Sequence, residues 1–373
     1  MTPILAEIVT MEPVVRVGRA AWDQRLLPRD EFAARLRAAL DAARRAGLDA
    51  LVVFGHAARS ECLTYLTNFV PSARWGALVA VPGREPVLLA GLGGQREGPY
   101  QRTVTWVRDL VHAPLSGATL RQVLADRGAT SGRLGVVGLR QLMPADRVAD
   151  IEDGLAGWEL VPLDTELAAL WRVTGPRERA VLAAATAILE QARQQAVCEF
   201  SASRSVTRSA AAADRLARLR GCRDVRILIG SGDGSLRPYQ GVRADGESGM
   251  LVAYLTAEWL GYWTELAFSY PHNALAPEPG LLPAALSRTS RQVAPGVRPE
   301  QLRAGFTEGE LHVRGLGLSI TELPDRPAGW DALRAGDVIS LLAARQEARR
   351  VILHSTVVDV TADGGRPLQA WPQ

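Results

Sequence analysis

Lysine is absent from the 373-residue chain, and all 43 basic residues are arginine. This absence excludes a mechanism that needs a lysine as a Schiff base or as a general base. Cysteine is scarce as well, because Cys62, Cys198 and Cys222 lie far apart and form no CxxC motif. Such isolated cysteines predict small buried apolar side chains, and they suit a reducing, cytoplasmic compartment better than a disulfide framework.

Long hydrophobic runs and a strong charge of one sign are also missing. No run of about 18 uninterrupted apolar residues occurs, so we expect no membrane span. The N-terminal residues include early acidic side chains and lack a basic region followed by an apolar core, so they do not predict a signal peptide. The net charge is only +3, and arginines alternate with acids, so we predict no nucleic-acid partner.

The remaining composition and patterning indicate a globular α/β protein. Hydrophobic residues make up 47% of a chain that is long enough for two domains with separate cores. Residues 30–48 have apolar side chains at helical spacing, and the apolar run DALVVFG that follows them predicts a buried strand. Strands and helices alternate up to about residue 161, and long helices are predicted over residues 176–199 and 203–219.

Several short segments follow one another in a fixed order. They are RLRAALDAARRAGLDALVVFG, YLTNF, LAALWRVTGPRERAVLAAATAI, GYW, GLGLSITELP, LRAGDVISL and STVVDVTADGG. In this order and at this spacing they resemble the creatinase and Xaa-Pro aminopeptidase branch of the M24 metallopeptidase family, the pita-bread fold. The resemblance covers nearly the whole chain. It implies an α/β (α+β) two-domain architecture, with a creatinase N-terminal-like domain at 1–165 and a pita-bread domain at 166–373.

The metal ligands of the M24 family do not carry over to this chain. The family holds two metal ions with two Asp, one His and two Glu, and the resemblance aligns these positions with Tyr254, Glu265, Arg314, Leu342 and His354. A phenol, a guanidinium and a leucine thus occupy three of five places, whereas divalent ions need anionic oxygens or neutral imidazoles. We therefore expect no two-metal site, no cofactor and no metallopeptidase mechanism.

Creatinase, the metal-free precedent on this fold, does not match either. Its histidine base aligns with Tyr239, and its second pocket histidine aligns with Thr321, beside Glu322. The creatinase acid on the Gly-Tyr strand aligns with Ala267, and its late glutamate aligns with His354. Creatine hydrolysis is therefore not expected.

The resemblance implies that the replaced residues converge on one cavity. They are Tyr239, Tyr254, Glu265, Arg314, Thr321, Glu322 and His354. Facing each other, Glu265 and His354 would act as proton carriers, and Arg314 would bind a carboxylate or a developing oxyanion. The remaining four residues would line the substrate pocket. Three structural alternatives stay open: Glu265 and Arg314 form a plain ion pair, His354 is a satisfied core histidine, and Tyr254 and Leu342 fill the volume that the metals would occupy.

Two functions of different class follow from these residues. The first is a metal-independent enzyme that performs acid–base chemistry on a small amino-acid-derived or carboxylate-bearing substrate. The second is a non-catalytic pseudopeptidase that binds a peptide or protein partner through the old cleft. By resemblance alone, we also expect a homodimer.

Overall fold

The structure is a computed structural model, and it describes residues 22–57, 59–71, 75–90, 101–230, 236–239, 250–271, 280–319, 332–347 and 350–368. The chain divides into two compact units, Met1–Arg172 and Val173–Gln373. The division follows a short helix, Asp164–Arg172, and so it lies a few residues beyond the boundary expected at 165.

The first unit contains a six-stranded mixed sheet with helices around it. Its strands are β1 Ala50–His56, β2 Trp75–Ala80, β3 Val87–Leu89, β4 Asp109–Val111, β5 Gly132–Val137 and β6 Trp158–Pro162. Its helices are α1 Arg29–Arg45, α2 Glu61–Thr67, α3 Gly117–Asp126, α4 Leu139–Leu142, α5 Ala145–Gly154 and α6 Asp164–Arg172. The strand order is β4-β3-β2-β1-β5-β6. Strand β1 runs antiparallel to β2 and parallel to β5 at the centre of the sheet.

The second unit is built on a larger sheet of eight strands. Its strands are β7 Asp224–Gly230, β8 Arg237–Pro238, β9 Met250–Trp259, β10 Tyr262–Pro271, β11 Glu310–Gly315, β12 Val338–Glu347, β13 Arg350–Thr361 and β14 Gly364–Pro367. Its helices are α7 Pro176–Ser203, α8 Val206–Leu219, α9 Leu281–Gln292 and α10 Pro299–Gly305. The strand order is β11-β12-β13-β10-β9-β7-β8, and β14 pairs with β13.

A tight hairpin joins the two long strands β9 and β10. Tyr262 pairs with Trp259, so only Leu260 and Gly261 form the turn, and both have positive φ, 51° and 87°. Two consecutive positive φ values are typical of a type I′ turn, whose twist matches that of the flanking strands. The turn therefore fixes the register of the two strands and, with it, the face on which each side chain lies.

Side chains of the large sheet alternate between two faces. One face packs against the helices, and we call it the helix-covered face; its core includes Leu189 of α7, Ala253 of β9 and Phe268 of β10. Farther along the sheet, Ala343 of β12 belongs to a second core that contains residues of α9 and α10. Residues that alternate with these lie on the other side, which we call the opposite face. No described helix of either unit is long and apolar enough to cross a membrane.

Candidate functional site

The centre of the opposite face holds a buried glutamate, Glu265 on β10. Glu265 pairs with Thr256 of β9, and Tyr254 lies two residues farther along that strand, in the diagonal position. Cross-strand diagonal neighbours are within reach of a long or aromatic side chain. The Tyr254 hydroxyl accordingly donates a hydrogen bond of 2.5 Å to Glu265 Oε2. Only 4% of the Glu265 surface is exposed, so this carboxylate depends on its protein partners.

Arg314 reaches the same carboxylate from a distant strand. Its Nη1 donates to the Tyr254 hydroxyl at 3.2 Å and lies 3.6 Å from Glu265 Oε2. The guanidinium carbon also lies 5.8 Å from the centre of the Tyr254 ring, within the range of a cation–π contact. Strands β12 and β13 separate β11 from β10 in the sheet order, but the chain just after β11 returns to β10, where the Trp263 N–H donates to the Gly317 carbonyl at 2.6 Å. This return places Arg314 near Glu265. We call Tyr254, Glu265 and Arg314 the Tyr–Glu–Arg cluster.

Burial and the neighbouring Glu265 keep the phenol of Tyr254 protonated. Burial raises the pKa of Tyr254 above its ordinary value, and the nearby charge and hydrogen bond of Glu265 raise it further. Arg314 acts in the other direction but does not reverse the shift of this pKa. Tyr254 is therefore a hydrogen-bond donor to the carboxylate and not a proton carrier near neutral pH.

Two polar atoms beside the cluster are buried without a hydrogen-bond partner among the described residues. They are Glu265 Oε1 and the Ser340 hydroxyl oxygen. Ser340 lies on β12, where it pairs with Arg314 on one side and with Val357 on the other. Most buried polar atoms in native proteins are hydrogen-bonded, so each of these two atoms marks a candidate binding position.

His354 does not lie in this cluster, contrary to the expectation that it faces Glu265. Its backbone pairs with Phe268 on β10 and with Ala343 on β12, and both of these side chains belong to cores on the helix-covered face. Burial lowers the pKa of His354, and the charge of Arg193 on α7 lowers it further. The sheet backbone therefore separates the two residues that were expected to share a proton.

Of the other predicted pocket residues, the structure describes Tyr239. Tyr239 packs against the core of the helix-covered face, so it is also apart from the Tyr–Glu–Arg cluster. Thr321 and Glu322 lie outside the described residues. Of the seven residues that were expected to converge, the structure brings together Tyr254, Glu265 and Arg314.

Sequence reasoning missed two serines of the opposite face, Ser340 and Ser355. The Ser355 hydroxyl accepts a 2.7 Å hydrogen bond from the backbone N–H of Ala267. Leu342, which was assigned to a lost metal position, pairs with Ser355 and lies beside the Tyr–Glu–Arg cluster. The available signal was strand alternation: once Leu342 is placed on the opposite face, its partner Ser355 must be there too, and His354 must not.

The donors present do not fit the two metal ions that the fold implies. No group of three or more His, Cys, Asp or Glu side chains able to hold a metal occurs among the described residues. Glu265 is the carboxylate of the cluster, and it already accepts from Tyr254 beside the cation Arg314. A divalent ion about 4 Å from a guanidinium would meet a repulsion of about 8 kcal/mol at an effective dielectric constant of about 20. This donor set is therefore unsuited to a dinuclear centre.

Comparison with known proteins gives the same architecture. Residues 35–172 match the family model of the Creatinase/Prolidase N-terminal domain. Solved structures show the creatinase-like, pita-bread fold over most of the chain. A search among curated protein sequences found no match.

Solved structures with the creatinase-like fold cover almost all of the chain. The prolidase from Pyrococcus horikoshii is 15% identical, with a TM-score of 0.69, and the alignment covers 91% of this chain and 99% of the prolidase. The X-Pro aminopeptidase from Thermotoga maritima is 15% identical, with a TM-score of 0.71, and the alignment covers 89% and 98% of the two chains. The dipeptidase PepE from Mycobacterium ulcerans is 22% identical, with a TM-score of 0.65 and coverage of 94% and 98%. At these identities the similarity shows the fold, and the fold does not determine the chemistry of the site.

Proposed function

We propose that the chain is a metal-independent enzyme derived from the M24 peptidase fold, which performs acid–base chemistry on a small amino-acid-derived or carboxylate-bearing molecule. The observation that carries the proposal is the Tyr–Glu–Arg cluster. It combines a buried carboxylate, one oxygen of which has no hydrogen-bond partner among the described residues, with a guanidinium whose side chain is 37% exposed. A titratable group and a fixed cation at one position are the two elements that acid–base chemistry on an anionic substrate needs.

Each group of the cluster has a distinct role in this proposal. Tyr254 holds Glu265 Oε2 through its 2.5 Å hydrogen bond, which fixes the orientation of the carboxylate and leaves Oε1 for the substrate. Arg314 binds the substrate carboxylate through the planar fork of its guanidinium. Glu265 then takes a proton from a substrate group at Oε1 and returns it to the substrate or the product.

The position of His354 changes the form of this chemistry. With His354 on the helix-covered face, Glu265 is the carboxylate left to carry the proton among the described residues of the cluster. A single proton carrier favours a reaction in which one group first accepts and later donates the same proton. His354 therefore has no part in the proton transfer that we propose.

A non-catalytic pseudopeptidase is the second candidate, and one observation favours it. Tyr254, Glu265 and Arg314 already contact one another through a hydrogen bond of 2.5 Å, a hydrogen bond of 3.2 Å and an ion pair of 3.6 Å. A site that has lost its metals and its activity would relax to this neutral arrangement. In that case the old cleft would serve a peptide or protein partner, and small carboxylates would not compete for Arg314.

Metal dependence and ligand binding together test the proposal. The purified protein is first analysed for bound Zn, Mn and Co, and it is then incubated with amino acids, short peptides and guanidino compounds in excess EDTA or with added Mn²⁺. We expect less than stoichiometric metal, stabilisation against heat by carboxylate-bearing compounds, and product formation that EDTA does not abolish. A ligand at 100 times its Kd would stabilise the fold by about 2.7 kcal/mol.

Two variants make this test specific to the cluster. Glu265→Gln keeps the shape and the acceptor for Tyr254 but removes the base, so turnover should be lost while binding of simple carboxylates persists. Glu190→Gln replaces a glutamate of α7 that pairs with Arg193, and it should change neither. Turnover that requires Mn²⁺, or stoichiometric metal in the purified protein, would overturn the proposal. Binding of peptides without turnover, and without binding of small carboxylates, would favour the pseudopeptidase.

The proposal also includes a homodimer and a cytoplasmic location. The three cysteines are free, which supports a reducing compartment. Sedimentation of the purified protein tests the homodimer, since a single species at the mass of one chain would exclude it.

A further inference from the structure

We propose that the ligand of this site is a zwitterion, an α-amino acid or a close derivative, whose carboxylate binds Arg314 and whose ammonium group binds Glu265 Oε1 and the Ser340 hydroxyl. The inference rests on the proposed function in one respect, namely that the Tyr–Glu–Arg cluster is the working site. It adds the second charge of the ligand and a further binding residue, Ser340.

The unbonded oxygen of Glu265 favours a ligand that carries hydrogen-bond donors. Glu265 Oε1 makes no hydrogen bond among the described residues, although it is buried and the side chain is only 5% exposed. A buried carboxylate oxygen without a partner loses the hydration that it has in the unfolded chain, and this loss is costly. A group with N–H donors removes that cost, and an ammonium group also supplies the opposite charge and has three donors.

Ser340 supplies the second acceptor for such a group. It is fully buried, and its hydroxyl oxygen has no hydrogen-bond partner among the described residues. The strand pairs Arg314–Ser340 and Ser340–Val357, together with the β10–β13 register, place Ser340 in the same cross-sheet row as Glu265 and Arg314. Ser340 and Glu265 therefore lie on the same face of the sheet, with Val357 between them in this row.

Arg314 supplies the site for the negative end of the ligand. Its Nη1 contacts Tyr254 and Glu265, while a guanidinium carries five N–H donors in all. The side chain is 37% exposed, so donors remain available on the solvent side. Arg314 Nη1 and Glu265 Oε2 lie 3.6 Å apart, so binding positions of opposite charge are adjacent. An α-amino acid presents adjacent charges in the same way, because a single carbon separates its two ionised groups.

Calorimetric titration of the full-length protein tests this inference. The probes are the common L-α-amino acids, each compared with its N-acetyl derivative, which lacks the ammonium group, and with its amide, which lacks the carboxylate. We expect at least one free amino acid to bind, and blocking either end should weaken binding by at least about tenfold, because each charge-assisted hydrogen bond is lost.

Three variants assign the contacts, and the thermal unfolding of each confirms that it is folded. Glu265→Gln should weaken the free amino acid at least about tenfold while leaving the weak binding of the N-acetyl derivative unchanged. Ser340→Ala should weaken it at least about tenfold, because the hydroxyl accepts a hydrogen bond from the charged ammonium group. Glu190→Gln, on the helix-covered face, should have no effect.

The outcomes separate this inference from the function on which it rests. If N-acetyl derivatives bind as tightly as free amino acids, the zwitterion is refuted but a carboxylate site at Arg314 stands. If amides bind as tightly as free amino acids, the role of Arg314 is refuted as well. If no carboxylate-bearing compound binds at all, both the inference and the proposed function fail.

Discussion

Tyr254 is the residue on which the geometry of the candidate site depends. It joins Glu265 and Arg314, since its hydroxyl donates to the first at 2.5 Å and accepts from the second at 3.2 Å. Without this hydroxyl, a carboxylate that is 5% exposed would retain Arg314, at 3.6 Å, as its nearest described partner. The phenol therefore does more than fill the volume of a lost metal.

The substitution Tyr254→Phe should destabilise the protein for this reason. Removing a hydrogen bond to a buried charged group lowers the free energy of unfolding by about 1.5–3 kcal/mol. Urea denaturation followed by circular dichroism measures this change. Tyr239→Phe is the matched control, because Tyr239 is half-buried against the helix-covered core and should change stability by no more than about 0.5 kcal/mol. Equal losses in the two variants would contradict the role given to the Tyr254 hydroxyl.

At the scale of the elements, two serines complete the hydrogen bonding between β10 and β13. A single backbone pair, Phe268 with His354, defines the register of these two strands. The Ser355 hydroxyl accepts from the Ala267 N–H at 2.7 Å, and the Ser269 hydroxyl accepts from the Leu353 N–H at 2.8 Å. Each serine thus satisfies a backbone donor of the facing strand.

Ser355→Ala should weaken the pairing of β10 with β13 locally. The buried N–H of Ala267 would lose its acceptor, at a cost of about 1–3 kcal/mol in the free energy of unfolding. Hydrogen exchange should show the Ala267 amide losing protection more than the amides of β1 in the other unit. Ser201→Ala removes an exposed serine of α7 that bonds only within its own helix, and it serves as control. Unchanged protection at Ala267 would refute the role of Ser355.

The sequence predicted the elements of the fold better than the positions of the site residues. The helix expected at 30–48 is Arg29–Arg45, the helix expected at 176–199 is Pro176–Ser203, and the run DALVVFG covers strand β1 except for its last residue, His56. The apolar pattern of each of these elements is long enough that an error of one or two residues in a boundary does not change the predicted element. The assignment of His354 had no such tolerance, because a one-residue shift along a strand moves a side chain to the other face.

At the scale of the whole molecule, each unit has its own core, so each face of the large sheet can be considered within the second unit alone. His354 lies in that unit on the helix-covered face, with Glu190 and Arg193 of α7 as its charged neighbours. Burial lowers its pKa most, Arg193 lowers it further, and Glu190 opposes them. The folded protein therefore holds this histidine neutral at pH values where the unfolded chain already binds a proton.

The free energy of unfolding should therefore depend on pH through His354. The ordinary pKa of histidine is about 6.5, and the folded value is lower, so the unfolded state binds more protons between the two values. The free energy of unfolding should accordingly fall as the pH drops from about 7 through 6.5, with a slope of at most about 1.4 kcal/mol per pH unit for one group, and level off below the folded pKa. Denaturant titrations at a series of pH values measure this slope. His354→Gln should flatten it, whereas His312→Gln, which replaces an exposed histidine on β11, should not. A slope that is identical in the wild type and the His354 variant would mean that His354 is solvated in the folded protein, and its assignment to the helix-covered core would then be wrong.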